Sequence, residues 1–304
     1  MENEVNLSGQ AVPWERATIE KLLFAELRER RAARRWRLLR SLLWMGLVGA
    51  LVWVLASEQL PSATPSSAHT AMVAIKGEIS DAGEGSAEYI LPALRSAMQD
   101  KGAQALVLLI NSPGGSPVQA GLIHDEIRRL RALHDKPVYA VVEESCASAA
   151  YYIAAGADRI YVDKASLVGS IGVLINGFGF TGTLDKLGVE RRLLTAGENK
   201  GFLDPFSPQS DAQRAHAQRM LDQIHQQFIG VVRQGRGERL KETPEMFSGL
   251  FWTGEQAVQL GLADGLGSLD MVAREVVKAE KRGDYTNKEN IAERFAKRLG
   301  ASVG

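Results

Sequence analysis

The stretch Ala105-Leu-Val-Leu-Leu-Ile-Asn-Ser-Pro-Gly-Gly115 decides the fold. Ala105–Ile110 is apolar throughout, without the alternation of a strand wetted on one face, and fits a strand buried on both faces. It stops at Asn-Ser-Pro-Gly-Gly, where proline lacks a ladder donor and glycine opens φ values closed to other residues. Val118–Leu133 then places Leu122, Ile123, Ile127 and Leu130 at helical spacing. Working outward, Met72–Gly77 reads as a strand and Ala87–Lys101 as a helix. Downstream, Pro137–Val142 is a strand and Ala147–Gly156 a short helix of small residues. Arg159–Val162 and Val168–Leu174 are further strands, and residues 209–235 form a long amphipathic helix. The alternation predicts an α/β domain with a mostly parallel, buried sheet over residues 71–280, followed by a charged C-terminal extension, 281–304. There is no internal repeat.

Composition narrows the function. In 304 residues, 45% are hydrophobic and 24% charged, which excludes a wholly disordered chain. Lys+Arg and Asp+Glu are equal at 36, so the basic excess of a dedicated nucleic-acid binder is missing. The single cysteine, Cys146, excludes an intrachain disulfide framework and a multi-cysteine metal site.

The even balance hides a polar, arginine-rich N-terminal segment, 1–37, expected to be helical from about Pro13 to Arg37. Arg28, Arg30, Arg31, Arg34, Arg35, Arg37 and Arg40 precede Ser41–Ser57, which carries no charge. A helix there spans roughly 25 Å, and Leu38 and Leu39 lengthen its apolar part. Trp36, Trp44 and Trp53 suit the two interfaces of a bilayer, and the next cation is Lys76. Residues 38–57 are therefore expected to be a single-pass anchor, with the N-terminus cytoplasmic and the rest outside the inner membrane of a bacterium. A cleaved signal peptide would need an n-region of about 40 residues, far beyond the usual length. A buried core helix fits poorly beside so many arginines. Residues 58–70, rich in Ser, Ala and Pro, read as a linker.

The histidines offer little. His69 falls in the linker, His124, His216 and His225 fall on helices and His134 at a helix end, and none has a companion at metal-ligand spacing. Each is expected to be a surface histidine, so neither a Ser-His-Asp triad nor a histidine zinc site has support, and no metal or other cofactor is expected. Gly177-Phe-Gly-Phe-Thr-Gly182 spells the dinucleotide fingerprint but lies deep in the domain with only Leu184–Gly188 behind it, and reads as a glycine-rich turn.

Two turns that follow apolar strands carry more. Asn111–Gly115 leads from strand to helix, and its backbone N–H groups can face an anion. Glu144-Ser-Cys-Ala-Ser-Ala-Ala-Tyr-Tyr152 does the same, and places Ser148 near a helix N-terminus, where free N–H groups stabilise an oxyanion. Taken alone, such a serine reads more readily as a packing residue or a cap.

Six ordered motifs now matter together. Ser-Pro-Gly-Gly at 112–115, Ala-Ser-Ala-Ala-Tyr-Tyr-Ile-Ala at 147–154, Gly-Ser-Ile-Gly-Val at 169–173, and Lys-Leu-Gly-Val at 186–189 are the first four. Gly197-Glu-Asn-Lys200 with Pro205-Phe-Ser-Pro208, and Gly254-Glu-Gln-Ala with Leu-Gly-Leu-Ala-Asp264, complete the set. The chain resembles the bacterial signal peptide peptidase A family, in its short single-domain form, from about Met72 to Val277. The resemblance implies a ClpP/crotonase-like α/β fold and a Ser-Lys dyad, with Ser148 as nucleophile and Lys200 as base. It also implies a dome-like homo-oligomeric ring, such as an octamer, in which Ser148 of one subunit meets Lys200 of its neighbour. Ala149 and Ala150 stand where the family carries glycines. They keep the N–H donors, and their methyls are expected to narrow the pocket.

The dyad also makes chemical sense. A serine hydroxyl needs a base, and a lysine serves if burial keeps it neutral. Gly201, Phe202, Leu203, Pro205 and Phe206 give Lys200 an apolar setting, whereas Lys164 neighbours Asp163 and reads as part of a turn. Ser170 is expected to hydrogen-bond the lysine, and the N–H groups of Gly114 and Ala149 to form the oxyanion hole. Tyr151 and Tyr152 are expected to pack the helix, and Cys146 has no base in its motif. With the anchor and the dyad, the resemblance implies a membrane-anchored serine endopeptidase that degrades remnant signal peptides and other apolar peptides. The alternatives are a related Ser-Lys protease acting on other membrane-protein segments, and a non-catalytic peptide-binding scaffold.

Overall fold

The computed structural model describes residues 36–50 and 67–287. Residues 36–50 are helical (α1) and exposed. They fall in one compact unit of the chain, and everything from residue 67 onward falls in another. Of the expected anchor 38–57, only 38–50 is described, and 51–57 lies outside the described residues. So do residues 1–35 of the N-terminal segment, 58–66 of the linker, and 288–304 of the extension. Among the described residues no helix is long and apolar enough to cross a membrane.

The second unit alternates as the sequence predicts. Strand β1 (His69–Lys76), helix α2 (Ala87–Gln99), strand β2 (Ala103–Ser112), helix α3 (Pro117–Leu133) and strand β3 (Val138–Ala147) come first. Then follow helix α4 (Ala149–Ala154), strands β4 (Arg159–Val162) and β5 (Leu167–Gly169), helix α5 (Thr181–Leu187) and the long helix α6 (Asp211–Arg236). Strand β6 (Phe251–Thr253), helix α7 (Gly254–Gln259), strand β7 (Gly265–Leu266), helix α8 (Leu269–Met271) with a π-helical turn (Val272–Val277), and strand β8 (Arg282–Asp284) close the unit.

The sheet runs β6-β5-β3-β2-β1-β8, with β4 pairing β3 and β7. Every pairing is parallel except β5 with β6. Strand β3 changes partner along its length: Tyr139–Val142 pairs with β4, and Ser145–Ala147 pairs with β5. This split frees the end of β3 to deliver the following turn beside the end of β2, where Ser112 pairs with Cys146. The β2 residues from Ala105 to Ile110 are all buried, as a two-sided strand requires. Helix α3 starts where proline fits the first turn, and Ser116 caps it by accepting from Gln119 N–H at 3.3 Å.

Several expectations change. The strand predicted over Val168–Leu174 stops at Gly169, because Gly169 (φ 111°) and Ser170 (φ 49°) both leave the extended region. The linker expected up to Thr70 ends earlier, because β1 starts at His69 and buries it. His69 hydrogen-bonds Tyr285 at 3.0 Å, and Tyr285 in turn donates to Asp100. The sheet also reaches past residue 280, since β8 pairs with β1. His124 is buried rather than on the surface. Its ring meets Tyr152 edge-on, and Gly156 leaves it room, because a Cβ there would lie 3.1 Å from the ring.

The motif ending at Asp264 proves structural. Arg236, 1% exposed, donates to Gly261 O and to Asp264, each at 2.8 Å. The Asp264 carboxylate also accepts from Ile160 N–H and from Arg239. Burial pushes the Asp264 carboxyl up, but Arg236, the Ile160 N–H and Arg239 together outweigh it and hold the group below the usual carboxylate range. Asp264→Ala strands the buried guanidinium and should cost about 3–5 kcal/mol in urea denaturation. Arg236→Met should cost less, because Arg239 and Ile160 still hold the carboxylate.

Glu126 joins α2 to α3, accepting from Arg95 at 2.6 Å and from Arg129 at 2.7 Å. Hydrogen bonds from Arg129 hold its carboxyl at about 2 against the upward push of burial, and Arg95 adds to them. A depressed carboxyl contributes stability above its unfolded value and loses it as the pH falls through the folded one. The melting temperature should therefore drop between about pH 4.5 and 2. In Glu126→Gln that part of the slope should be missing.

Candidate active site

Two adjacent parallel strands end in the two turns that the sequence singles out. Ser148 sits at the corner between β3 and α4 with φ 52° and ψ −121°, a conformation rare for any residue but glycine. Its N–H donates to Gly169 O at 2.8 Å, which ties the corner to the end of β5. Gly114, at φ 109°, closes the other side: a Cβ there would come within 2.7 Å of Ser148 Cβ. Gly169 is equally constrained, because a Cβ would strike the Trp252 ring at 2.7 Å. Ser148 itself is half-buried, so its hydroxyl remains reachable.

The structure places the other expected residues as follows. Ala149, the first residue of α4, has an N–H that no intrahelical carbonyl can satisfy. The Gly114 N–H is directed at Ser112 Oγ, at 3.2 Å. Ser170 is half-buried beside Gly169 and is also at positive φ, and its N–H donates to Leu250 O at 2.8 Å. Cys146 is fully buried, and burial pushes its thiol up, which makes it inert. Tyr151 packs inside and donates to Leu262 O at 2.7 Å, and Tyr152 packs against Phe228. Ala149 and Ala150 are buried in the core, 5% and 0% exposed.

Lys200 makes none of these contacts. It is exposed, and its side chain makes no hydrogen bond or ion pair among the described residues. The apolar neighbours named in the sequence do not bury it within the single chain. Its loop is fixed to the first turns of α6, where Gln213 donates to Asn199 at 3.3 Å and His216 meets the Phe202 ring edge-on at 5.7 Å.

The sequence missed His225. Its Nε2 lies 3.0 Å from Ile171 O, so it donates there, one residue beyond Ser170. The signal was available: His225 continues the stripe Phe228, Ile229, Val232 and Arg236, whose spacing marks the buried face of α6.

The family of the chain is visible in its relatives. Residues 131–282, half of the chain, match the model of Peptidase family S49. The chain is similar, at 49% identity over 58% of its length, to the Na(+)/H(+) antiporter NhaA of Brucella melitensis biotype 1, of which it spans 24%. It is 30% identical, over 70% of its length, to "Putative signal peptide peptidase SppA" of Enterococcus faecium, of which it spans 64%. Serine protease SPPA, chloroplastic, of Arabidopsis thaliana is 28% identical over 64% of this chain, which spans 29% of that protein.

Strain at Ser148 gives a test. Ser148→Gly should raise stability by about 1 kcal/mol, since glycine adopts the corner without steric cost. Ser148→Ala keeps the Cβ and should leave the melting temperature near that of the unmodified chain.

Proposed function

Because this chain belongs to peptidase family S49, we propose that it is a membrane-anchored serine endopeptidase with a Ser148–Lys200 dyad and a ClpP/crotonase-like fold. Its substrates are apolar peptides, remnant signal peptides among them, on the extracytoplasmic side of a bacterial inner membrane. The observation that carries this reading is the strained, accessible Ser148 at a strand-to-helix corner, with Gly114 packed against it and the Ala149 N–H unclaimed. The similarity to proteins named as serine and signal peptide peptidases supports the substrate class.

In this mechanism Ser148 Oγ attacks the scissile carbonyl carbon, and neutral Lys200 Nζ takes the hydroxyl proton. Charge on the tetrahedral oxygen is met by the N–H of Ala149 and that of Gly114, whose 3.2 Å bond to Ser112 Oγ is exchanged for the oxyanion. Lys200 returns the proton to the leaving amine. A water deprotonated by the same lysine then cleaves the acyl ester, and the lysine passes that proton to the departing Ser148 Oγ, which restores the resting dyad. Ser170 accepts from Lys200 and aims it.

The lysine comes from a neighbouring copy. Along α6 the tie at Gln213 and the contact at His225 lie about 18 Å apart at 1.5 Å per residue, which keeps the Lys200 loop away from its own Ser170 turn. The arm from β5 to α6 also exposes Leu174, Phe178, Leu187 and Leu194, the last 96% exposed, as a surface that a second copy would cover. Repetition of this contact gives a closed ring.

Digestion of apolar peptides by the purified full chain, read by mass spectrometry, tests the reading. Ser148→Ala, Lys200→Ala and Lys200→Arg should each lower kcat/KM by about 10³-fold or more, the last because arginine stays charged. Tagged Ser148→Ala and Lys200→Ala subunits that co-assemble should regain part of the activity. Hydrolysis that survives Ser148→Ala overturns the protease reading. A co-assembled mixture that stays inactive overturns only the shared site.

A further inference from the structure

Ser170 holds a positive φ that only surrounding contacts can enforce. On one side its N–H is held by Leu250 O. On the other side the next carbonyl, Ile171 O, receives His225 Nε2–H at 3.0 Å. Ile171 itself is fully buried, and Gly172 N–H folds back to Ser170 O at 2.9 Å. His225 is thus the side chain through which α6 grips this turn. The same face of α6 grips the nucleophile helix, since Phe228, three residues on, packs against Tyr152 at 5.2 Å. The Ser148 N–H to Gly169 O bond joins the two grips. One line of contacts therefore runs from His225 to Ile171 O, through Ser170 to Gly169 O, and on to Ser148.

We infer that His225 is a positioning residue that sets the Ser170 turn, and with it the hydroxyl that aims the catalytic lysine. The inference rests on the Ser148–Lys200 reading above. His225 reaches neither the substrate nor the reacting atoms, so its loss acts on turnover and spares substrate affinity. The contact needs a donor and no charge. A glutamine amide at that position has a donor of similar reach, and a leucine fills similar volume without one.

The test compares His225→Leu and His225→Gln in the full chain, with kcat, KM, melting temperature and the stoichiometry of fluorophosphonate labelling at Ser148 as readouts. His225→Leu should lower kcat by about tenfold or more, because small misplacement of a catalytic group has costs of that order. KM and labelling stoichiometry should stay unchanged, and His225→Gln should recover most of the loss. The inference is overturned if His225→Leu turns over like the unmodified chain. It is overturned equally if Gln is as impaired as Leu, or if kcat falls only in step with the fraction folded. Nitrogen-15 NMR of labelled histidine adds a readout independent of activity. A proton on Nε2 of His225 is expected, and a neutral ring protonated on Nδ1 would overturn the contact itself. If the unmodified chain shows no Ser148-dependent hydrolysis, the protease reading falls and the inference falls with it.

Discussion

The hydrogen bond from Ser148 N–H to Gly169 O is the constraint on which the site depends. Ser148 occupies a backbone conformation that costs roughly 1–3 kcal/mol and persists only where its surroundings over-determine it. Three neighbours do so. Gly114 lies too close to tolerate a side chain, Gly169 supplies the carbonyl, and the first turn of α4 begins at Ala149. Each is placed by a parallel strand that ends at the same rim of the sheet. The corner is thus a product of topology: β2, β3 and β5 must be neighbours, in that order, for any of these contacts to exist.

That order explains why so much was legible in the sequence. Ala105–Ile110 could be read as a two-sided strand because six apolar residues in a row have few other uses in a soluble domain, and every one of them is buried. The two turns were legible because glycine and proline punctuate strands for steric reasons. Strand β5 was overestimated because Ile171-Gly-Val-Leu174 carries the right residue types, and nothing local reports that Ser170 turns back at positive φ. His69 and His124 were misplaced for a related reason. Their burial is set by Tyr285, Asp100 and Tyr152, partners distant in sequence, which a local pattern does not contain.

The last of the six motifs shows how resemblance and physics divide the work. Leu-Gly-Leu-Ala-Asp264 helped to identify the family, yet its acid holds buried Arg236 and the start of β4. Such a pair adds little net stability compared with an apolar replacement, but it fixes geometry, because each of its partners is lost if the carboxylate moves. Here it fixes α6 at its C-terminal end, where Arg236 lies, against the strand that follows α4.

Helix α6 then becomes the ruler of the site. Its last turn is anchored through Asp264, its middle grips α4 and the Ser170 turn through Phe228 and His225, and its first turns hold the Lys200 loop. In the proposed mechanism this continuous helix, which cannot shorten, both orders the nucleophile side of the site and keeps Lys200 at a distance from it. On the proposed mechanism a single chain is therefore an incomplete enzyme, with a nucleophile and no base. In the proposed ring a second copy covers the exposed apolar arm that carries the lysine, and the hydrophobic gain from such burial is non-directional. Direction has to come from the rigid parts, the grip of α6 on both turns and the fixed corner at Ser148. In the proposed ring, assembly and catalysis would be one event: the contact that buries the arm would also take the lysine out of water, as its role as a base requires.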